Sequence, residues 1–377
     1  MPTAPLTAVV IGGGQAGLAT GFYLRRSGLV PGQDFVIIDA AAEPGGAWAR
    51  MWPTLRTFSP TQYSSLPGWM MPPWPHGGYP LASHVVDYLT RYEERYQLAV
   101  RRSVAARAVT RSVGGVVVGT DAGDLFAEHV ISATGTWSRP FVPTYPGTFA
   151  GRQLHTADYR RAADLAGQRV LIVGGGNSAA QILAEVSSVA ETTWVTLRPP
   201  RFLPDDVDGR ALFEIATKRH QARLRGQADT GGVGGLGDIV MVESVRDARN
   251  RDVLHARRPF THLIDHGVRW DDGTDSPYDT IIWCTGFRPA LGHLTSLGLR
   301  APNGLIPTDG TQALKEPRLH LIGYGDWTGP ASATLIGAGR TARDLVRELY
   351  PPRGPRLPTT VGTSPPRPPT QRGGLGF

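Results

Sequence analysis

The chain has 377 residues, enough to bury two or three domain cores. Its formal charge of +7 owes much to Arg353, Arg356, Arg367 and Arg372 in an acid-free tail, only Lys218 and Lys315 are lysine, and no basic stripe interleaved with aromatics marks a nucleic-acid surface. The one cysteine, Cys284, excludes an intrachain disulfide, a CxxC redox pair and a three-thiolate arsenite site, and no apolar run nears the ~18 residues of a membrane span.

Before Val9 there is neither a basic region nor a cleavage site, so no signal peptide and a cytoplasmic chain are expected. Val9-Val10-Ile11 is a short β-branched run, as a buried parallel strand would be. Gly12-Gly13-Gly14-Gln15-Ala16-Gly17 follows at once. Its glycines permit a tight turn, close approach of backbone to a pyrophosphate and close packing of the next helix. Leu18, Phe22 and Leu24 open that helix, whose N-terminus favours an anion. A strand over 35–38 ends at Asp39, 22 residues after Gly17. An acid there suits ribose hydroxyls and repels a 2′-phosphate, so this loop fits FAD or NAD(H) and not NADP(H). A helix over 83–96 and a strand over 100–104 come next. Ser132-Ala133-Thr134-Gly135 ends a further strand with a glycine that lets the backbone pass close to a ligand.

The strand at 169–173 leads into a second loop, Gly174-Gly175-Gly176-Asn177-Ser178-Ala179, and a helix over 178–189. A strand over 193–197 then ends at Arg198, 19 residues after Ala179. A cation at that point accommodates a 2′-phosphate, so the second site reads as NADP(H). Asn177 fits a turn residue that also contacts the nucleotide. Residues 226–237 are rich in glycine and read equally as a mobile lid or a flexible connector. Ile282-Trp283-Cys284-Thr285-Gly286 repeats the earlier strand exit, and Cys284 reads as a small buried apolar residue. The strand at 319–322 precedes Gly325-Asp326 and a helix over 331–349. The tail 351–377, rich in Pro, Gly and Arg, reads as disordered. The alternation predicts an α/β chain with two Rossmann-like dinucleotide-binding domains. The expected boundaries are 1–147 plus 286–350 for the first, discontinuous domain and 148–285 for the second, inserted one. Two dinucleotides in one protein point to electron transfer between them.

Phe149-x-Gly151-x-x-x-His155-x-x-x-Tyr159, followed by Arg160, resembles the identifying sequence of the class B flavin-containing monooxygenases. Gly45-Gly46-Ala47-Trp48, Ala133-Thr134-Gly135, Cys284-Thr285-Gly286-Phe287 and Gly323-Tyr324-Gly325-Asp326-Trp327 are also similar to that family, and the likeness spans about residues 6–348. Phe58-Ser59-Pro60, Ser64-Ser65-Leu66-Pro67-Gly68 and the stretch 201–210 resemble the subgroup associated with bacterial arsenic-resistance operons.

The resemblance implies FAD and NADPH as cofactors. FAD would lie on Gly12, Gly14, Gln15, Ala16, Gly17, Asp39, Gly46, Trp48, Val104, Ala133, Thr134, Gly135, Gly325 and Asp326, with Val104 at the adenine end. NADPH would lie on Gly174, Gly176, Asn177, Ser178, Ala179, Arg198, Thr285 and Gly286. Reduced flavin would add O2 at C4a, and the hydroperoxide would pass one oxygen to a small soft nucleophile: sulfur, nitrogen, selenium or a trivalent arsenical. The alternatives are a flavin reductase or oxidase serving a partner or O2, and a nucleotide-sensing protein that keeps the loops only structurally. The chemistry needs no general-base triad, and no metal site is expected. The family's flavin-side asparagine is replaced by Phe58-Ser59-Pro60, which leaves Ser59, Ser64, Ser65 and the motif His155 as candidates at the reacting centre, with His155 reading better as an organiser of the domain linker. Trp48, Trp52, Tyr63, Trp69 and Trp74 lie where the family lines its flavin face. Partners are a small-molecule substrate and O2, in a monomer or homodimer.

Overall fold

The structure is a computed structural model that describes residues 5–207, 211, 225, 238–329 and 331–351. The glycine-rich stretch 226–237, residues 208–210 of the subgroup stretch and the tail from 352 lie outside the described residues. No helix among the described residues is long and apolar enough to cross a membrane.

β1 (Leu6–Ile11), α1 (Gln15–Arg26), β2 (Phe35–Ile38), α2 (Ala82–Arg95) and β3 (Val100–Arg101) build the first unit. β4 (Ala106–Ser112), β5 (Gly115–Thr120) and β6 (Gly123–Ser132) form an antiparallel meander whose last strand returns parallel beside β1. All four residues of β2 and the last four of β1 are buried, which is why they read as unbroken apolar runs rather than as alternation.

The second unit repeats this plan. It comprises β7 (Arg152–His155), β8 (Arg169–Val173), α3 (Asn177–Val186), β9 (Glu191–Val195), α4 (Glu243–Asn250) and β10 (Ala256–Arg257). β11 (His262–Ile264), β12 (Gly267–Arg269) and β13 (Asp275–Pro277) make its antiparallel meander, and β14 (Thr280–Trp283) returns parallel beside β8. The strand order is β10-β9-β8-β14-β7. The chain then rejoins the first sheet through β15 (Thr308–Asp309), β16 (Gln312–Ala313) and β17 (Glu316–Leu321), giving β15-β16-β17-β6-β1-β2-β3. Helix α5 (Leu335–Leu349) ends the described chain.

Both units carry the parallel core β3-β2-β1-β6-β17 or β10-β9-β8-β14-β7, as expected for two Rossmann-like sheets. α1, α2 and α5 share one apolar cluster through Phe22, Tyr88, Tyr92 and Leu345. α3 and α4 share a second with Trp52 and Trp194.

Several element ends differ from expectation. The strand expected over 100–104 stops at Arg101, because Ser103 takes φ 55° and turns the chain. The strand expected to reach 197 stops at Val195. The helix expected from 331 starts at Leu335, because Ala331 sits at φ 60° and the Thr334 hydroxyl accepts the Gly337 amide as N-cap.

Two stretches join the sheets, one after β6 and one after β14. They pair with each other: Phe141 N donates to Gly286 O at 3.0 Å, Arg288 N to Arg139 O at 2.8 Å and Ala290 N to Gly135 O at 2.9 Å.

Candidate functional site

The first loop is built by contacts that only glycine allows. Gly12 has φ 112°, and a Cβ on it would meet the Ala133 carbonyl oxygen at 2.5 Å. A Cβ on Gly17 would lie 1.8 Å from Gly12 O, so the start of α1 packs directly on the turn. Gly46 approaches Gly14 so closely that a Cβ would reach its Cα at 2.8 Å. Gln15 crosses the loop, donating to Ala333 O at 2.5 Å and accepting the Trp48 indole N–H at 2.9 Å. Asp39, at the end of β2, accepts the Gly13 amide at 2.6 Å and the Ala41 amide at 2.7 Å. Arg102 lies 3.3 Å from Asp39 and pairs with Glu93. Its Nη1 is buried beside the loop and makes no hydrogen bond.

These groups line a cavity of about 860 Å³. Its wall includes Gly12, Gly14, Gln15, Ala16, Asp39, Gly46, Trp48, Val104, Ala133, Thr134 and Gly135. The N-terminus of α5 opens on it through Thr334, Leu335 and Ile336. Asn177, Ser178 and Gln181 of α3 line the same space, so one cavity is shared by the first loop and the helix of the second. Ser59 and Ser64 line it as well, with their hydroxyls 2.9 Å apart.

Other expected residues lie elsewhere. Ser65 is turned away: its hydroxyl donates to Thr61 O and accepts the Met71 amide. Gly325 and Asp326 are off the wall, and the Asp326 carboxylate accepts the Ala331 amide at 3.2 Å to close the turn before α5. Gly17 is off it too, held against Gly12 as above. Among the aromatics, Trp48, Trp52 and Tyr63 face the cavity. Trp69 instead packs on Tyr88 beneath the guanidinium groups of Arg91 and Arg95. Trp74 sits against His76 and His84.

The second loop repeats the backbone contacts of the first. Gly12 N donates to Ile38 O at 2.8 Å, and Gly174 N donates to Val195 O at 2.8 Å. A Cβ on Gly174 would meet the Cys284 carbonyl oxygen at 2.2 Å, as one on Gly12 would meet that of Ala133. Ala179 stands where Gly17 stands in the first loop and is fully buried.

The register also corrects one pairing. Thr196, not Arg198, takes the position of Asp39, and Arg198 follows two residues later, exposed. Gly174, Gly176, Ala179, Arg198, Thr285 and Gly286 do not line the cavity. Gly175, Arg198 and Gly286 are exposed, so this loop opens outward. The Thr285 hydroxyl donates to Phe141 O across the paired stretches. Asn177 has both amide atoms committed, donating to Asp238 O at 3.1 Å and accepting the Val240 amide at 2.8 Å.

The motif between the loops is explained residue by residue. Phe149 is buried among Leu171, Val195 and Trp283, and a Cβ on Gly151 would strike its ring at 2.4 Å. His155 Nε2 meets Gly286 O at 3.0 Å, Nδ1 accepts the Ala157 amide, and the ring stands edge-on to Phe287. Burial lowers its pKa, so it is a neutral ring holding the paired stretches. Tyr159 donates to Glu185 at 2.7 Å. The same carboxylate accepts Trp52 Nε1 at 3.2 Å and Thr54 Oγ1 at 2.6 Å, tying α3 to the cavity wall. Burial pushes the Cys284 thiol up to about 12, which leaves no thiolate near neutral pH.

The wall also holds Trp137 and His293, which motif spacing does not signal. Trp137 stacks at 4.8 Å on Phe287 of the second strand exit. His293 joins a buried chain: its Nε2 is 2.9 Å from Ser132 Oγ, which is 2.6 Å from the Tyr324 hydroxyl, itself 2.6 Å from Thr134 Oγ1. Burial lowers the His293 pKa to about 4. The charged wall residues are Asp39, Arg50, Arg56, Arg139 and, when protonated, His293.

Known proteins resemble this chain in sequence and fold. Residues 9–208 match the pyridine nucleotide-disulphide oxidoreductase family. A flavin-containing monooxygenase from Stenotrophomonas maltophilia is 48% identical, with a TM-score of 0.82 over 92% of this chain and 98% of that one. An indole-3-pyruvate monooxygenase of Oryza sativa subsp. japonica is 28% identical over 91% of each chain. A Baeyer-Villiger monooxygenase of Streptomyces coelicolor is 32% identical over 56% of this chain and 41% of its own length.

Proposed function

Since the chain belongs to the pyridine nucleotide-disulphide oxidoreductase family, and within it to the FAD- and NADPH-dependent class B flavin-containing monooxygenases, we propose that it passes one oxygen atom from O2 to a small soft nucleophile. The observation that carries this reading is the single cavity lined by both the first loop and the start of α3. A flavin on the first loop and a nicotinamide arriving over α3 would meet there.

The first loop fits FAD. Its glycine contacts leave a backbone cradle, two helix N-termini open on the cavity, and Asp39 keeps acceptor capacity for ribose hydroxyls. Arg102 Nη1, 3.3 Å from the Asp39 carboxylate and in no hydrogen bond, adds a buried cation beside the loop. On this reading the first sheet is the FAD domain and the second the inserted NADPH domain. The enclosed loop suits a resident cofactor, and the outward-facing one suits a nucleotide that comes and goes. Bound flavin, reduced by NADPH, supplies the electrons that activate O2.

The chain's own residues shape the rest. Trp48, Trp52, Phe58 and Tyr63 keep water from the reacting face. The paired hydroxyls of Ser59 and Ser64 offer hydrogen bonds where the family's asparagine is missing. Three arginines against one aspartate on the wall disfavour a protonated amine. We therefore rank neutral or anionic sulfur, selenium and trivalent arsenic compounds, methylarsenicals among them, above amines.

The test is oxygenation under ¹⁸O2 with NADPH. One ¹⁸O atom per NADPH in a thioether or trivalent arsenical product is expected. NADPH consumption that yields only stoichiometric peroxide with every acceptor would sink the reading in favour of an oxidase.

A further inference from the structure

The backbone repeat extends one strand further than the loops. In the first unit Asp39 N donates to Arg101 O at 2.9 Å, and Ile38 pairs with Arg101. In the second, Thr196 N donates to Arg257 O at 3.0 Å, and Val195 pairs with Arg257. Arg258 therefore occupies the place of Arg102.

Arg102 faces its loop: a Cβ on Gly13 would lie 2.9 Å from its Nη1 and 2.8 Å from Asp39 Oδ2. Its charge is met by Asp39 and Glu93. Neither acid recurs at the matching position of the second unit. Thr196 is neutral, and the last turn of α4 carries Ala248 and Arg249, the latter bound to Asp205 at 2.7 Å. Arg257 is committed elsewhere, its guanidinium 3.8 Å from the centre of the Trp270 ring. Arg258 is exposed, and its side chain makes no hydrogen bond or ion pair with the described residues. Pro259 after it favours an extended backbone at Arg258, and strand alternation then turns its side chain away from the face of Arg257.

We propose that Arg258 binds the 2′-phosphate of NADPH, as a second guanidinium beside Arg198. The two units thus use one backbone position in opposite ways. In the first, an arginine neutralised by two acids stands beside a bare ribose. In the second, an arginine with no acid partner among the described residues, next to a neutral threonine, receives a phosphate dianion. Arg258 is a specificity residue and takes no part in hydride or oxygen transfer. The inference rests on the reading that the second loop holds NADPH.

Calorimetric titration of the FAD-loaded full chain with 2′,5′-ADP and with 5′-AMP tests it without turnover. Native protein is expected to bind 2′,5′-ADP at least tenfold more tightly than 5′-AMP. Arg258→Ala should weaken 2′,5′-ADP about ten- to a hundredfold, leave 5′-AMP unchanged and flatten the salt dependence. Arg258→Lys should restore part of the loss, and the NADPH-to-NADH ratio of kcat/KM should fall in parallel. An Arg258→Ala protein that keeps its 2′,5′-ADP preference while Arg198→Ala loses it would overturn the role of Arg258 alone. A native protein with no preference for 2′,5′-ADP would overturn the NADPH reading of the loop, and this inference with it.

Discussion

At the scale of single residues, the two loops differ most at one carbon atom. Gly17 has no room for a side chain, whereas Ala179 carries a buried methyl at the matching position. Gly17→Ala is therefore expected to push α1 off the turn, at a cost of about 1–3 kcal/mol. It should lower the flavin-to-protein absorbance ratio of the purified chain, whereas Ala179→Gly should leave that ratio near native. Equal flavin content in both variants would contradict the tight packing. Glycine spacing and Asp39 were legible because backbone approach and charge leave marks in sequence. Thr196 was not. The β-branched run continued past Val195 through Thr196 and Leu197, and only the hydrogen bond to Gly174 shows where the strand ends. Arg258 was hidden for a related reason, since its partner in the first unit is reached through a third strand that spacing rules do not count.

At the scale of elements, Glu185 joins three pieces of chain: Trp52 and Thr54 before the serine segment, Tyr159 of the motif, and α3 itself. Glu185→Ala leaves three donors without their acceptor, the Tyr159 hydroxyl among them. A loss of about 2–4 kcal/mol is expected, seen as a lower Tm in a thermal melt. Flavin reduction by NADPH should slow, because α3 loses its hold on the cavity wall. Tyr159→Phe removes one bond and should cost about 1 kcal/mol. A Glu185→Ala protein with native Tm and native reduction rate would refute the joint. The motif announced that Tyr159 matters, but its partner carries no signature, since Glu185 reads as an ordinary polar residue on an amphipathic helix. The aromatic group shows the same limit. Five rings close in sequence are split between the cavity and the α2 surface by how the chain turns at Pro67 and Gly68, where Gly68 takes φ 86°.

At the scale of the whole molecule, two deeply buried histidines are expected to weaken it in acid. Burial lowers both His293 and His320 to about 4, from 6.5 in the open chain. The unfolded chain then binds more protons than the folded one between those values, so stability is complete above about pH 6.5 and falls as pH drops toward 4. At pH 5 each ring costs about 2 kcal/mol. Tm should fall between pH 7 and pH 5, and His320→Gln should remove part of that slope. An unchanged slope would mean that these rings do not govern it.

The two-sheet α/β plan was legible from periodicity, but the bonding between the two connecting stretches was not, because it links residues about 150 positions apart. Those stretches are laced into one narrow ribbon with a left-handed glycine on each side, Gly135 and Gly286. A ribbon of this kind resists stretching and sideways slip, which would break its rungs. With the bonds from Trp52 and Thr54 to Glu185 it gives the second sheet two separate fastenings to the first, so neither sheet shifts along the other without breaking hydrogen bonds at both.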